Sequence, residues 1–162
     1  MGALPWFEVT DEVPGLAGAI KSRFTAHAHH VLATAHADGR PRVNGTNVMF
    51  TEGHLWIGTM PGAARARDLD RFPWCALHSA PLDEALGDGH GDARIEARAV
   101  RLDEVMAQHL LSVARPGDNG PLRGEYFELL VHSMSLLEVD GDSLAIRVWT
   151  AGGGDEREVR RA

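Results

Sequence analysis

Cysteine and lysine occur once each in the 162-residue chain, as Cys75 and Lys21. A lone cysteine excludes an intrachain disulfide and a cysteine-based metal cage, and it fits a protein kept in a reducing cytoplasm. No run of about 18 apolar residues is present, so no transmembrane helix is expected. The opening "MGALPWFEVTDEV" is acidic and lacks the basic and apolar regions of a secretion signal, which again suggests a cytoplasmic chain. Lys and Arg together number 16 against 23 Asp and Glu, a net charge of −7. With no broad basic face to release counterions, neither nucleic acid nor an anionic membrane is an expected partner. Any cationic site must therefore be local. No internal repeat occurs, and Ser79, Ser112 and Ser133 lie outside any nucleophile-elbow context, which leaves triad hydrolysis unsupported.

What is present is a 44% hydrophobic chain with short alternating segments. "PGLAGAIKSRFTAHAHH" spaces Leu16, Ile20, Phe24 and Ala28 as one face of a helix that begins at Pro14. "HVLATAH", "RVNGTNVMF" and "HLWIGTM" follow, separated by Asp-Gly and Glu-Gly turns, and predict a three-strand meander. Residues 62 to 71 have helical character and lead into a fourth strand, "PWCALHS". Residues 80 to 91 read as an exposed loop, and "DARIEARAVRL" alternates as a fifth strand. "DEVMAQHLLSVA" predicts a helix capped by Asp103, with Val105, Met106, Leu110 and Val113 as its apolar positions. "EYFELLVHSMSLLEV" and "SLAIRVWTA" are further strands, and the broken alternation at 129 to 131 and 136 to 137 implies a bulge or burial on both faces. Six to seven mostly antiparallel strands with peripheral helices suggest a small closed barrel.

The segments "VLATAHADGRPRVNGTNVMF" and "LWIGTMPGAARARDLDRFPWCALH" resemble the pyridoxamine 5'-phosphate oxidase-like, FMN-binding split β-barrel superfamily, which includes deazaflavin (F420) dependent reductases. The resemblance covers about residues 24 to 102 and implies a single split-barrel domain over residues 1–162, with an N-terminal tail (1–13) and a polar C-terminal tail (152–162). It further implies a homodimer with FMN, or alternatively F420, at the subunit interface and a small-molecule substrate. The basic stretch after the third strand would grip the cofactor phosphate through Arg65 and Arg67, with Thr59 and Met60 beside it. Asn44, Thr46, Asn47 and Val48 would lie along the ring, with only one parity facing it. Trp149 and the following glycines would cap the ring from the partner subunit.

The chemistry of residues 61 to 67 accords with this. Guanidinium forks and the free N–H groups of a helix start both suit a phosphate. The competing reading of Arg65, Arg67 and Arg71 is a solvated helix face paired with Asp68 and Asp70. Ala63 and Ala64 supply no hydroxyl where the family often has one. His27, His29, His30 and His36 fan out without an acidic partner at ligand spacing, so no metal site is expected. "GDGHGD" resembles a calcium loop in composition alone. Cys75 reads as core.

The expected function is thus a flavin-dependent oxidoreductase whose cofactor carries the chemistry, with no evident general acid or base. Arg40, Arg42, Arg98 or Arg101 would lengthen a basic groove for F420. The alternative class is a non-catalytic flavin or haem binder, with His30 or His132 as haem ligands, or a degenerate barrel kept for interactions.

Overall fold

The computed structural model describes residues 2–80, 90–117 and 120–161. Residues 81–89 of the expected loop, with the first half of the "GDGHGD" stretch, lie outside them, while Gly91 and Asp92 already belong to a strand. In chain order the elements are α1 (Trp6–Glu12), α2 (Pro14–Thr25), β1 (His30–Ala35), β2 (Pro41–Thr46), β3 (Val48–Thr51), β4 (His54–Thr59), α3 (Ala64–Arg71), β5 (Trp74–His78), β6 (Gly91–Arg101), α4 (Glu104–Ala114), β7 (Glu125–Asp140), β8 (Ser143–Thr150) and β9 (Arg157–Arg161).

The strands pair in the order β2-β1-β5-β6-β7-β4-β3, all antiparallel, with β8 added to β7 and β9 to β8. The two ends of that order, β2 and β3, are halves of one stretch of chain interrupted at Asn47. The sheet therefore closes on itself as a split β-barrel. A single straight strand could not pair with β1 through one half and β4 through the other, so the expected continuous strand "RVNGTNVMF" is broken where the barrel closes.

The barrel is filled by alternate residues of its strands, among them Leu32, Leu55, Ile57, Leu77, Ile95 and Phe127, and α2 plugs one end with Leu16, Ala17, Ile20 and Phe24. Ala28 does not join this face: α2 ends at Thr25, and Ala28 is exposed. β7 has its bulge at His132, where Glu96 pairs Ser133 but Ala97 pairs Val131, one residue past the expected break at 129–131, through which burial alternates regularly. An inserted residue at this point lets one 16-residue strand serve both the barrel and the β8–β9 extension.

Both tails are structured. Residues 6–12 form α1, which buries Trp6 and Val9 in the core, and residues 157–161 form the charged edge strand β9. Their polar composition conceals this, because two apolar anchors suffice for α1 and an edge strand needs none. Helix α4 has its Asp103 cap, whose Oδ1 accepts from the Met106 N–H at 2.8 Å. Its buried residues are Ala107 and Leu110, whereas Val105, Met106 and Val113 are exposed. Trp56, also buried, projects from β4 on the face opposite Leu55 and Ile57, and lies outside the main core cluster. No helix is long and apolar enough to cross a membrane among the described residues.

Candidate functional site

A groove of about 510 Å³ opens at the barrel seam, where β2 and β4 meet and α3 and α4 supply the flanks. Its walls include Gly45, Thr46 and Asn47 from the strand break, Gly58, Thr59 and Met60 at the end of β4, Arg65 from α3, and Leu111, Arg115, Arg123 and Tyr126. Of the residues expected from the sequence, the structure brings together Thr46, Asn47, Thr59, Met60 and Arg65. Consecutive residues 45 to 47 all line the groove, contrary to the expected single parity, because the chain leaves regular strand geometry at Asn47.

Arg65 is the central cation. Its Nη1 donates to the Gly45 carbonyl at 2.6 Å and Nη2 to the Gly58 carbonyl at 3.3 Å, so the guanidinium bridges the two strands of the seam. It makes no ion pair among the described residues, and burial pulls its pKa below the usual arginine value. A half-buried cation held only by carbonyl dipoles has unused capacity for an anion. Thr46 and Thr59, both buried residues of the groove wall, donate to the carbonyls of Asn47 and Met60, which leaves their hydroxyl oxygens able to accept. His29 Nδ1 lies 3.0 Å from Asn47 Oδ1; because that oxygen can only accept, Nδ1 carries the proton and the Asn47 amino group is left to donate elsewhere.

Two glycines shape the floor. A methyl group on Gly58 would sit 3.0 Å from Tyr126 Cε1, and one on Gly124 would sit 2.4 Å from the Thr59 carbonyl oxygen. Both glycines are needed for Tyr126 and its approach segment to lie flat against β4.

Four expected residues stand elsewhere. Trp149 is 1% exposed and packed in the core, paired with Met134, so it has no free face to cap a ring as expected. Val48 packs against the core opposite Ile57. Asn44 does not line the groove, and its buried Nδ2 has no hydrogen-bond partner among the described residues. Arg67 turns back to the Gly62 carbonyl at 2.5 Å, and the Gly62 N–H itself donates to Glu125 Oε2 at 3.0 Å. A carboxylate thus occupies part of the expected phosphate cradle before α3, whose N-terminus no side chain caps.

The cations proposed to lengthen the groove are also otherwise engaged: Arg40 pairs with Asp38, Arg42 with Asp68, and Arg101 with Asp70 and Glu125. Arg98 is not in the wall. Arg115 and Arg123 take that place, without an ion-pair partner among the described residues, and no Asp or Glu joins them in the wall. The sequence signal for them was faint, since they flank the turn-rich segment after α4, more than 45 residues from Arg65 in the chain.

Of the histidines named as haem ligands, His30 has both ring nitrogens in use. Ala80 N–H donates to Nδ1 at 3.0 Å, which leaves Nε2–H to donate to the His27 carbonyl at 3.0 Å, and burial lowers its pKa so that it stays neutral. His132 Nδ1 lies 2.9 Å from the Gly2 carbonyl, away from the groove. Cys75 is core, as expected, and burial pushes its thiol up to about 12.

Comparison with known proteins agrees with this architecture. A family profile described as pyridoxamine 5'-phosphate oxidase matches residues 16–120. PhzG from Burkholderia lata 383, solved in complex with tetrahydrophenazine-1-carboxylic acid, superposes with a TM-score of 0.66 at 16% identity, covering 99% of each chain. A pyridoxamine 5'-phosphate oxidase-related, FMN-binding protein from Nostoc punctiforme PCC 73102 gives 0.65 at 15% identity, covering 92% of this chain and 95% of the other. A haem-binding protein from Mycobacterium smegmatis gives 0.60 at 19% identity, over 83% of this chain and 58% of the other. No curated protein matches in sequence. At these identities the structural likeness speaks for the fold, and the family profile, spanning well over half the chain, carries membership: the protein belongs to the pyridoxamine 5'-phosphate oxidase-like family of split barrels.

Proposed function

We propose that the protein is an FMN-dependent oxidoreductase acting on a small organic substrate, with the cofactor phosphate at Arg65. The observation that carries this reading is the half-buried Arg65 guanidinium at the barrel seam, which has no ion-pair partner among the described residues and lies in a groove whose described lining holds Arg115 and Arg123 and no carboxylate, Glu125 being turned to the Gly62 N–H beside it. The donor set fits a flavin phosphate, and the groove volume lies within the range of about 300–1,000 Å³ usual for such ligands. When bound, FMN supplies hydride and electron transfer at its ring; the protein binds, orients and shields. Arg65 holds the anion, the Asn47 amino group and the Thr46 and Thr59 hydroxyls offer polar contacts to a ring edge, and Tyr126 forms an apolar wall. Function is argued from this site, because the barrel alone hosts several activities.

Val43 and Met60, which are 67% and 76% exposed, leave apolar surface at or near the groove rim, and a second copy of the chain covering them would make the homodimer we propose. The buried lone Cys75 accords with a cytoplasmic location. A second reading, F420 in place of FMN, draws on one observation: Arg115 and Arg123 also line an adjoining recess of about 270 Å³, which extends the cationic track toward a ligand with additional carboxylates.

The absorption spectrum of the purified protein distinguishes bound FMN, F420 and haem. Apo-protein titrated with FMN and F420 should bind one of them at micromolar concentration; binding of neither overturns the proposal. Arg65→Ala should weaken FMN binding about tenfold or more.

A further inference from the structure

Helix α3 carries a second charged residue at helical spacing from Arg65, and it is used in a different way. Asp68 is 3% exposed, and its Oδ2 accepts from Thr34 Oγ1 of β1 at 3.0 Å and from Arg42 Nε of β2 at 2.6 Å. Arg42 is itself steadied by its Nη2, which donates to His36 Nδ1 at 2.9 Å. One buried carboxylate thereby joins α3 to two strands. Residues three apart on a helix lie on neighbouring stripes of one face, separated by about 4.5 Å along the axis. Arg65 and Asp68 therefore form two pins of the same helix face, and β2 receives both: Arg42 at one end and the Gly45 carbonyl at the other.

Such an arrangement does more than attach the helix. Apolar contacts from Ala66 and Leu69 hold α3 against the barrel but tolerate sliding and rotation, since dispersion has little directional preference. The Asp68 bonds are charge-assisted and directional, and the one from Arg42 is short. They index the helix to β1 and β2, and the index sets where the Arg65 fork stands relative to the seam carbonyls. We infer that Asp68 is a positioning residue for the anion site: through Arg42 and Thr34 it orients α3 so that Arg65 presents its guanidinium to the groove. The part concerning phosphate rests on the flavin reading above, whereas the part concerning Arg65 orientation does not.

The test uses Asp68→Asn, with Arg42→Lys as a second variant that keeps the charge but loses the planar fork, so that a failure of one to fold leaves the other to decide. Two readouts separate positioning from general stability. The first is the Arg65 side-chain N–H signal in 15N NMR, assigned by its loss in Arg65→Ala. It should be resolved and protected in the wild type, and should merge with the exposed arginines in both variants while the backbone spectrum stays folded. An unchanged Arg65 signal in a folded variant overturns the inference whatever the cofactor. The second is the affinity ratio of FMN to riboflavin, which lacks the phosphate. Asp68→Asn should lower FMN affinity about tenfold and leave riboflavin within about twofold. Equal losses for both ligands would mean a merely structural role and overturn the inference. Should the wild type bind FMN no better than riboflavin, the flavin-phosphate reading fails, and the NMR readout alone decides the role of Asp68.

Discussion

Helix α3 buries Ala66, Asp68 and Leu69 against the barrel and is tied to β1 and β2 through a buried carboxylate, whereas α4 buries Ala107 and Leu110 and reaches the β3–β4 turn through an exposed pair, His109 Nε2 with Glu52 Oε2 at 2.6 Å. The residues they bring to the groove differ accordingly. Arg65 on α3 is half-buried with both terminal nitrogens placed, while Arg115, just beyond α4, is exposed. Directional polar anchoring under low exposure gives a preorganised cation, while a small apolar patch with a solvated pair leaves the opposite flank free to adjust to what it meets. The fixed flank suits an invariant group such as a phosphate. The looser flank suits the variable part of a ligand.

Breaking the contrast begins with the apolar anchors. Leu69→Ala should cost about 3 kcal/mol in urea unfolding, because the deleted atoms leave a cavity in the main core. Leu110→Ala removes as many atoms from a patch outside that core, and should show mainly as faster amide exchange along α4, with a smaller global loss. Similar global losses for the two would erase the distinction.

Acid titration tests the polar anchor. Burial would raise the Asp68 pKa, but the hydrogen bonds from Arg42 and Thr34 outweigh it and hold the carboxyl below its usual value of 3.8. The folded state thus binds the proton less readily than the unfolded chain. The resulting stabilisation is full above about pH 4 and is lost as pH falls through the folded value. Unfolding midpoints of Asp68→Asn measured across this acid range should fall less steeply than those of the wild type; parallel curves would show that the carboxylate carries no such linkage.

Smaller effects sharpen the picture at the surface. Arg101 bridges Asp70 of α3 and Glu125 of β7, and these hydrogen bonds, that to Asp70 foremost, raise its pKa. All three groups are substantially solvated, so Arg101→Met should cost no more than about 1 kcal/mol by chemical denaturation, and less in high salt. Glu52 stands at φ +48, a left-handed conformation that favours glycine. Glu52→Gly relieves that strain while losing the His109 pair, and the net change in melting should be within about 0.5 kcal/mol of zero. A large loss would reveal α4 to be fastened as firmly as α3.

Much of this architecture was legible in advance. The period-two runs at 30–36 and 92–102 became β1 and β6 because burying one face of a strand dictates alternation, whereas β4 buries Leu55, Trp56 and Ile57 on both faces. The 3.6-residue rhythm placed α2, and Asp103 its cap on α4. Arg65 stood out through the resemblance of the basic stretch after the third strand to the family pattern, since its residues alone fit a solvated helix face equally well. The face of α4 was misread, since Val105 and Val113 are apolar yet exposed, and nothing local tells an apolar residue which neighbour covers it. The resemblance implies a ligand contact for Trp149, whereas the side chain fills the core. Arg115, Arg123 and Tyr126 went unnoticed as groove residues because no spacing rule links them to residues 45 to 65.

Local periodicity and turn chemistry were enough to specify most strands and helices other than α1 and β9, since each depends on neighbours within a few positions. The Arg65 bond to the Gly45 carbonyl and the carboxylate that indexes α3 depend on pairings 20 to 34 residues apart, and the closure of the barrel at Asn47 depends on the still more distant pairing of β4 with β7. Those pairings form only when the strands assemble, because a buried charge and its partner must leave water together. Thus the Arg65 cluster was visible in the sequence, but its division of labour was not: one arginine faces the groove, one turns back on its own loop, and an aspartate once read as their solvent-exposed partner holds the helix in place.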